Sequence, residues 1–488
     1  MKRLIATLGI SLLAAGAQAG SLNLNSSPFP GLTLNRIKDI RADIPAPSSD
    51  VELAGPRVTL LLGAEQSNQR NPVWPGYSVF GQPILLYEAG VRSFLIAHPN
   101  PPAGYNAVLL SPQPVFEKQG AVPGLNFTFA FHFPVNGVDT FAYRYKTAGR
   151  PLQDVQTVVH ERFHIYQRSA FAQRYGERGS EPDAEDLSLA ALEQAALKSA
   201  LLAAEPAGTS RFARQFLAVR SERYSRQPDC AAKENYEERL EGMARYVEQS
   251  LMSRPEVSGT PYDMIPYLSR ALDMFPDIDS MDKSRYYTTG AAEGLLLDLA
   301  GRVEWKESVA AGSAVRDLLS LAYPLAPGEA GSVLAEAKAE HGYEKLLETG
   351  TQKATAFLAA KAAAVSAYES SPGIEWSVPS PRSLSFSAQS PNFKLGYTGT
   401  LMPKLEMFDA STEGFTLNFT DRPAILGPGA VRFHAAAAAV TLDGQPFTLS
   451  DGTYQFGTLL VAEAGLDLSV SSPGTLTVAG RKAEISYR

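Results

Sequence analysis

The spacing of apolar and polar residues divides the chain into stretches of different character. Between residues 51 and 145, short β-prone runs such as 84–87, 94–97 and 127–131 are separated by clusters of Pro, Gly and Asn, which predicts strands joined by turns. By the same pattern, residues 58–62 are expected to form a strand. Residues 20 to about 45 mix Ser, Asn and Pro without a period and predict an extended or poorly ordered lead-in.

Residues 151 to about 370 instead show the apolar period of helices. The candidate helices are 152–175, 182–205, 209–226, 230–253, 262–275, 284–300, 306–322 and 329–369. The last span exceeds a usual single helix, and we expect it to break near Gly342 or Gly350. After a boundary at residues 371–373, short alternating runs and the turns Asp443-Gly444 and Asp451-Gly452 predict a small β-sandwich.

These patterns predict a multidomain α+β protein with four segments. Residues 1–19 are a signal peptide, 20–150 a β-rich N-terminal region, 151–372 a helical domain and 373–488 a C-terminal β domain. The signal prediction comes from Lys2 and Arg3, an apolar run at residues 4–15 and the small-x-small sequence that ends at Ala19. No later run of 18 apolar residues follows. We therefore expect a periplasmic or extracellular protein without an integral membrane segment.

Composition excludes some classes of protein. The formal net charge of −7 shows no basic surplus, which argues against a nucleic-acid partner. The single cysteine, Cys230, permits no internal disulfide, so stability must come from packed cores.

One motif implies a specific chemistry, the His-Glu-x-x-His sequence of residues 160–164. On a helix, residues four apart project from one face, so His160 and His164 can bind one zinc ion with Glu161 beside it as general base. With six His in 488 residues, a chance match is expected in about one such chain in two hundred. An apolar stripe of helical period supports the helix: Val159, Phe163, Tyr166 and Ala170. The alternative is an amphipathic core helix whose histidines bind nothing.

A catalytic zinc needs a third protein ligand, and no further His follows His164 at short spacing. We therefore expect a carboxylate, and the best source is the predicted helix at 235–248, which has an acidic stripe opposite an apolar one. Gly242 lies within this helix at a cost of about 1 kcal/mol relative to Ala. That cost indicates close approach of a neighbouring helix, and the metal-bearing helix is the natural candidate. The pattern leaves Glu237, Glu238 and Glu241 open as ligands.

Two segments resemble a known family. Residues 241–248 resemble the Glu-Gly-Phe-Ala-x-Tyr-Val-Glu segment of gluzincin metallopeptidases related to aminopeptidase N, and residues 287–291 resemble their Tyr-x-x-Gly-Ala segment. The resemblance covers about residues 140–320. It implies a zincin-like catalytic domain with one Zn²⁺ per chain, Glu241 as third ligand and Tyr287 as the group that stabilises the oxyanion, with adjacent Tyr286 as the competitor. Such peptidases set an edge strand beside the zinc-binding helix, and residues 140–145 are the strand candidate just before it.

The chain also departs from that family. Seventy-six residues, 165 to 240, separate His164 from Glu241, whereas the family spacing is short, so we expect two inserted helices. The Gly-x-Met-Glu-Asn segment that anchors a free amino group in aminopeptidases is missing. We expect an exported zinc metallohydrolase, most simply a peptidase acting on peptide or protein substrates. The alternatives are a metallohydrolase with another substrate and a non-catalytic binding or scaffold protein with a degenerate or structural metal site.

Overall fold

A computed structural model describes residues 49–125, 128–176, 181–259, 263–282, 284–379, 384–389, 391–396, 399–436 and 438–487. The predicted signal peptide at 1–19 and the lead-in at 20–45 lie outside these residues. Within the described part, residues 49–176 and 182–351 belong to one compact unit, and residues 352–487 with Glu181 belong to another. No helix among the described residues is long and apolar enough to cross a membrane.

The first unit begins with a helix where a strand was expected. Helix α1 spans Ser49–Arg70, with a kink at Gly55, whose φ is 79°, just before Pro56. The prediction of a strand at 58–62 is therefore wrong. Val58, Leu61 and Leu62 are all buried, and their spacing of three and four residues is the spacing of one helical face. A five-residue apolar run does not distinguish a strand from a buried helix, whereas Pro after Gly is a helix-start signal.

A six-stranded sheet follows α1. Its strands are β1 Ile84–Glu88, β2 Arg92–Ile96, β3 Asn106–Leu109, β4 Val115–Gln119, β5 Phe129–Val135 and β6 Val138–Arg144. Their order is β3-β4-β2-β1-β6-β5, and only β1 and β6 pair in parallel. The expected edge strand at 140–145 is thus interior, and β5 forms the edge. The hairpin turn at Asn136-Gly137, with φ of 45° and 78°, folds β5 outside β6.

The rest of this unit is helical. The helices are α2 Pro151–Ala170, α3 Ala184–Leu202, α4 Pro206–Arg226, α5 Pro228–Glu237, α6 Met243–Met252, α7 Pro255–Ser258, α8 Met264–Leu272, α9 Ile278–Asp282, α10 Arg285–Leu299, α11 Trp305–Ala311, α12 Val315–Ala322, α13 Ala330–Glu340 and α14 Tyr343–Glu369. The helical region at 151–370 is as predicted, and the last predicted helix does break at Gly342. The prediction of one helix at 306–322 is wrong, because Gly312 ends α11 with a φ of 114°.

One turn between α5 and α6 is wider than an α-helical turn. Residues Glu238–Gly242 form a π-helical turn, so the predicted helix 230–253 is two α-helical segments joined by this turn. Such turns occur mostly as single bulges within α-helices, often at functional sites. Glu241 belongs to this turn.

The second unit begins at residue 352, within α14, and is rich in strands, as predicted. Its strands are β7 Ile374–Pro379, β8 Ser385–Gln389, β9 Phe393–Lys394, β10 Thr400–Thr412, β11 Phe415–Leu426, β12 Ala430–Ala435, β13 Ala439–Leu442, β14 Gln445–Pro446, β15 Gly452–Phe456, β16 Leu459–Glu463, β17 Leu466–Val470, β18 Gly474–Ala479 and β19 Lys482–Tyr487. They share one network of strand pairs, and alternate side chains along them, such as Leu417 and Phe419, build an apolar core.

Candidate metal centre

The two histidines of the motif lie side by side on α2. His160 and His164 are buried, with 6% and 3% of their surface exposed, and their Nε2 atoms are 3.1 Å apart. Val159 and Phe163 on the same helix are fully buried in the core. The apolar stripe therefore fixes the orientation of α2, which holds both imidazoles in place.

Glu241 completes a triangle of donor atoms. Its Oε2 lies 3.2 Å from His160 Nε2 and 3.1 Å from His164 Nε2, and its side chain is buried. The two competing glutamates face elsewhere. Glu237 pairs with Lys233, and Glu238 accepts hydrogen bonds from Arg220 and Thr289. Of the three carboxylates left open by the sequence, the structure brings only Glu241 to the histidine pair.

The triangle has the dimensions and the donors that zinc requires. Tetrahedral zinc with bonds of about 2.0–2.2 Å to nitrogen and oxygen sets its ligand atoms about 3.3–3.5 Å apart. The three separations of 3.1 to 3.2 Å come close to that spacing. Two imidazole nitrogens and one carboxylate oxygen are also a known donor set for this ion. Among the described residues, this is the one group of three His, Cys, Asp or Glu side chains arranged to hold a metal ion.

Each imidazole is also contacted by a second side chain through its other ring nitrogen, Nδ1. His160 Nδ1 lies 3.2 Å from Glu248 Oε2, and His164 Nδ1 lies 2.7 Å from Gln167 Oε1. In each ring Nδ1–H donates to the oxygen, so that the Nε2 lone pair points at the triangle, as in carboxylate–histidine–zinc arrangements. Burial opposes protonation of His160, but its bonds to Glu241 and Glu248 outweigh burial and raise its pKa to about 9. A metal ion that binds Nε2 therefore has to displace a proton from this nitrogen.

Gln167 also connects the two halves of the site. Its Nε2 donates to the carbonyls of Arg239 and Leu240, at 3.0 and 2.9 Å, in the π-helical turn that carries Glu241. Because one amide contacts both His164 and this turn, the separation of α2 from the turn is fixed. The sequence analysis missed both Glu248 and Gln167.

Glu161 is the one acidic residue of the motif, and it remains partly exposed beside the triangle. Burial raises the pKa of its carboxyl group, opposed by the nearby rings of His164 and His160. Among the described residues, no side chain or backbone group forms a hydrogen bond with this carboxylate. It is therefore available to a group that approaches the triangle.

Tyr287 and Tyr286 differ in their surroundings. The Tyr287 ring stacks on His160, with centroids 5.5 Å apart and planes 11° from parallel. Burial raises the pKa of Tyr287, and the charge and hydrogen bonding of Glu241 raise it further. Tyr286 is fully buried, and its hydroxyl donates to the carbonyl of Met281. Only Tyr287 faces the triangle.

The close approach expected at Gly242 occurs, but the approaching helix is not the one expected. A Cβ on Gly242 would lie 2.7 Å from Gly290 Cα and 2.9 Å from the Tyr286 carbonyl oxygen. Both atoms belong to α10, so the expectation that α2 contacts Gly242 is wrong. The backbones of the π-helical turn and α10 meet at two glycines, and this contact brings Tyr287 beside Glu241.

A buried charge cluster lies on the far side of the π-helical turn. Three arginines, Arg220, Arg223 and Arg285, pair with five acidic residues: Asp186, Glu193, Glu234, Glu238 and Glu293. Most of these come from α3, α4 and α5, the helices inserted between His164 and Glu241. Inserted helices were predicted from the sequence, whereas this cluster was not. Ion pairs this deeply buried are strongly destabilising to break, so the cluster fixes the position of the turn.

Comparison of the chain with protein-family models, with curated proteins and with solved structures found no match in any of the three. The interpretation of the site therefore depends on its geometry and on the motif resemblance.

Proposed function

We propose that this protein is an exported zinc-dependent metallopeptidase of the gluzincin type. The observation that carries the proposal is the meeting of His160, His164 and Glu241 at separations of 3.1 to 3.2 Å, with Glu161 and Tyr287 beside them. A motif that arose by chance in a core helix would not be accompanied by a distant carboxylate aimed at both imidazoles. Location in the periplasm or outside the cell belongs to the same proposal, because it follows from the predicted signal at residues 1–19 alone.

Each group has a defined part in peptide hydrolysis. His160, His164 and Glu241 would hold one Zn²⁺, and the chemistry that this ion would supply is Lewis acidity towards a water molecule and the carbonyl of the substrate. Glu161 would act as the general base that accepts a proton from the attacking water and as the acid that passes it to the leaving amine. The Tyr287 hydroxyl donates a hydrogen bond to the oxyanion that develops on the attacked carbonyl.

The number of donors favours catalysis over a purely structural metal. Structural zinc sites are closed by four protein ligands, whereas catalytic sites keep one position for water or substrate. Among the described residues the cluster has three members. Glu161 and Tyr287 lie beside the cluster and are not members of it. This arrangement supports an enzyme over the alternative of a scaffold protein with a structural metal.

A peptide substrate is supported by the strand beside α2. β5 is at the edge of its sheet, and its Phe131 and His132 contact Arg168 of α2. An edge strand offers unpaired backbone groups with which an extended peptide can pair. A peptide bound in this way would pass the end of α2 that carries His164.

The test is the substitution Glu161→Gln, which keeps the shape of the side chain and removes its basicity. We expect the variant to retain about one zinc per chain while hydrolysis falls by about 10²–10⁴-fold. Glu237→Gln is the matched control, because Glu237 pairs with Lys233 and does not reach the site. Metal content is measured on purified protein, and hydrolysis on a mixed peptide library read by mass spectrometry. Full activity of zinc-loaded Glu161→Gln would exclude this mechanism, and absence of zinc from the wild type would favour the scaffold alternative.

A further inference from the structure

Arg168 occupies a position on α2 that links the reactive carboxylate to the edge strand. It follows Glu161 by seven residues and His164 by four, so all three project from neighbouring parts of one helix face. The rise of α2 puts the Arg168 backbone about 10 Å from Glu161 along the helix. Each of these two charges affects the pKa of the other, which shows that their side chains lie within electrostatic range.

The guanidinium of Arg168 rests on β5. Its central carbon lies 4.3 Å from the centre of the Phe131 ring, and Nη1 lies 3.4 Å from His132 Nε2. His132 Nδ1 lies 2.8 Å from Asp139 Oδ2, so Nδ1–H donates to Asp139 and the other ring nitrogen can accept from Arg168. The Asp139 carboxylate is thus paired with His132.

Among the residues that the structure describes, Arg168 therefore forms no direct ion pair with a carboxylate, and Glu161 affects it only at longer range. Its side chain is half-buried, and burial lowers its pKa. Partial removal of a cation from water without an anionic partner is unfavourable, and stacking on one aromatic ring offsets only part of that cost. The planar guanidinium keeps several N–H donors that suit the two oxygens of a carboxylate.

We infer that Arg168 binds a carboxylate of the substrate and so determines specificity, a role that rests on the proposed peptidase function. An extended peptide paired with β5 would present its side chains or its end to this guanidinium on the way to Glu161. The carboxylate belongs either to an Asp or Glu side chain near the cleaved bond or to a free C-terminus. Both kinds of carboxylate present two oxygens that can accept hydrogen bonds from the guanidinium of Arg168.

The test compares matched peptides on the zinc-loaded enzyme. One set replaces Glu by Gln at each position within four residues of a cleaved bond, and another replaces a free C-terminus by an amide. We expect wild-type kcat/KM to favour the carboxylate at one position by about tenfold or more, the range of a hydrogen bond to a charged group. In Arg168→Gln that ratio should fall towards one, and Arg168→Lys should keep part of it. The set that shows the preference identifies the source of the carboxylate.

Arg150→Gln is the control for charge alone, because it removes a cation from the other end of α2, where Arg150 is exposed. It should keep the wild-type ratio. The inference is overturned if the wild type shows no preference at any position, a result that needs no variant. It is also overturned if Arg168→Gln lowers kcat/KM equally for both members of each pair, since Arg168 then only holds β5. If the wild type cleaves peptides and either result is found, the proposed function stands; if it cleaves none, the function fails and this inference with it.

Discussion

The contact between the π-helical turn and α10 makes Gly242→Ala a stringent test of the structure. In an ordinary helix this change stabilises by about 1 kcal/mol, because Ala has the higher helix propensity. Here the new Cβ would lie 2.7 Å from Gly290 Cα, whereas ordinary contact begins at 3.4 Å. The two backbones would have to separate by about 0.7 Å, and neither can rotate away as a side chain could.

The gain in helix propensity and the steric cost of the added Cβ oppose each other, and their magnitudes decide whether Gly242→Ala stabilises or destabilises the protein. Forcing an extra carbon into a packed interior costs about 1–3 kcal/mol. The atoms met here are backbone atoms of α10, which cannot swing aside, and this points to the upper end of that range. After subtraction of the propensity gain, we expect a net loss of about 2 kcal/mol in the free energy of unfolding. For a unit of this size that corresponds to a fall of about 3 °C in Tm.

Far-UV ellipticity during urea and thermal unfolding measures this loss, because most of the helices belong to the unit that contains Gly242. Gly331→Ala is the matched control. Gly331 lies in α13 with no heavy atom within 4 Å of an added Cβ, so its stability should be equal to or above that of the wild type. Zinc affinity, measured by chelator competition, should fall only for Gly242→Ala, since separation of the helices moves Glu241. If the Gly242→Ala protein were as stable as the Gly331→Ala protein, the close backbone contact between the π-helical turn and α10 would be refuted.

Two other predictions follow from the contacts of individual histidines. Glu248→Gln should weaken zinc binding by about 10–100-fold in chelator competition, because Glu248 orients His160, while Glu237→Gln should leave it within about twofold; equal affinities would remove that role. Buried His98, whose Nδ1 accepts from the Asn100 N–H, has a pKa lowered by burial, so the folded state binds fewer protons than the unfolded state. Stability from this histidine is present above about pH 6.5 and is lost as the pH falls below that value, so His98→Gln should flatten the fall in Tm between about pH 7 and pH 5; an unchanged slope would contradict it.

The sequence predicted the parts of the site that depend on local spacing. His160, Glu161 and His164 lie within five residues, and helical geometry alone puts the two imidazoles on one face. Gln167 follows His164 by three residues on the same helix, so the spacing rule that identified the histidines was sufficient to suggest it. Glu248 follows Glu241 by seven residues, two helical turns, and the same rule applies.

Long-range features were less accessible. Seventy-six residues separate Glu241 from His164, and only the motif resemblance distinguished it from Glu237 and Glu238. The burial of Arg220 with its acidic partners cannot be predicted from the spacing of apolar residues. Arginine is mostly found at protein surfaces, so an analysis of that spacing assigns Arg220 to the surface. The prediction for residues 58–62 was wrong because a five-residue apolar run does not distinguish a strand from a buried helix, and the helix-start signal at Gly55 and Pro56 was not used.

The π-helical turn has a consequence for how insertions and deletions act in this segment. Glu238 faces the buried arginines, while Glu241 and Glu248 flank the two nitrogens of one imidazole. Loss of one residue between α5 and α6 would turn everything before it by about 100° relative to everything after it. After such a rotation, either Glu238 could pair with the buried arginines or Glu241 and Glu248 could contact the imidazole, but not both at once. Between α5 and α6, insertions and deletions should therefore be tolerated less well than substitutions.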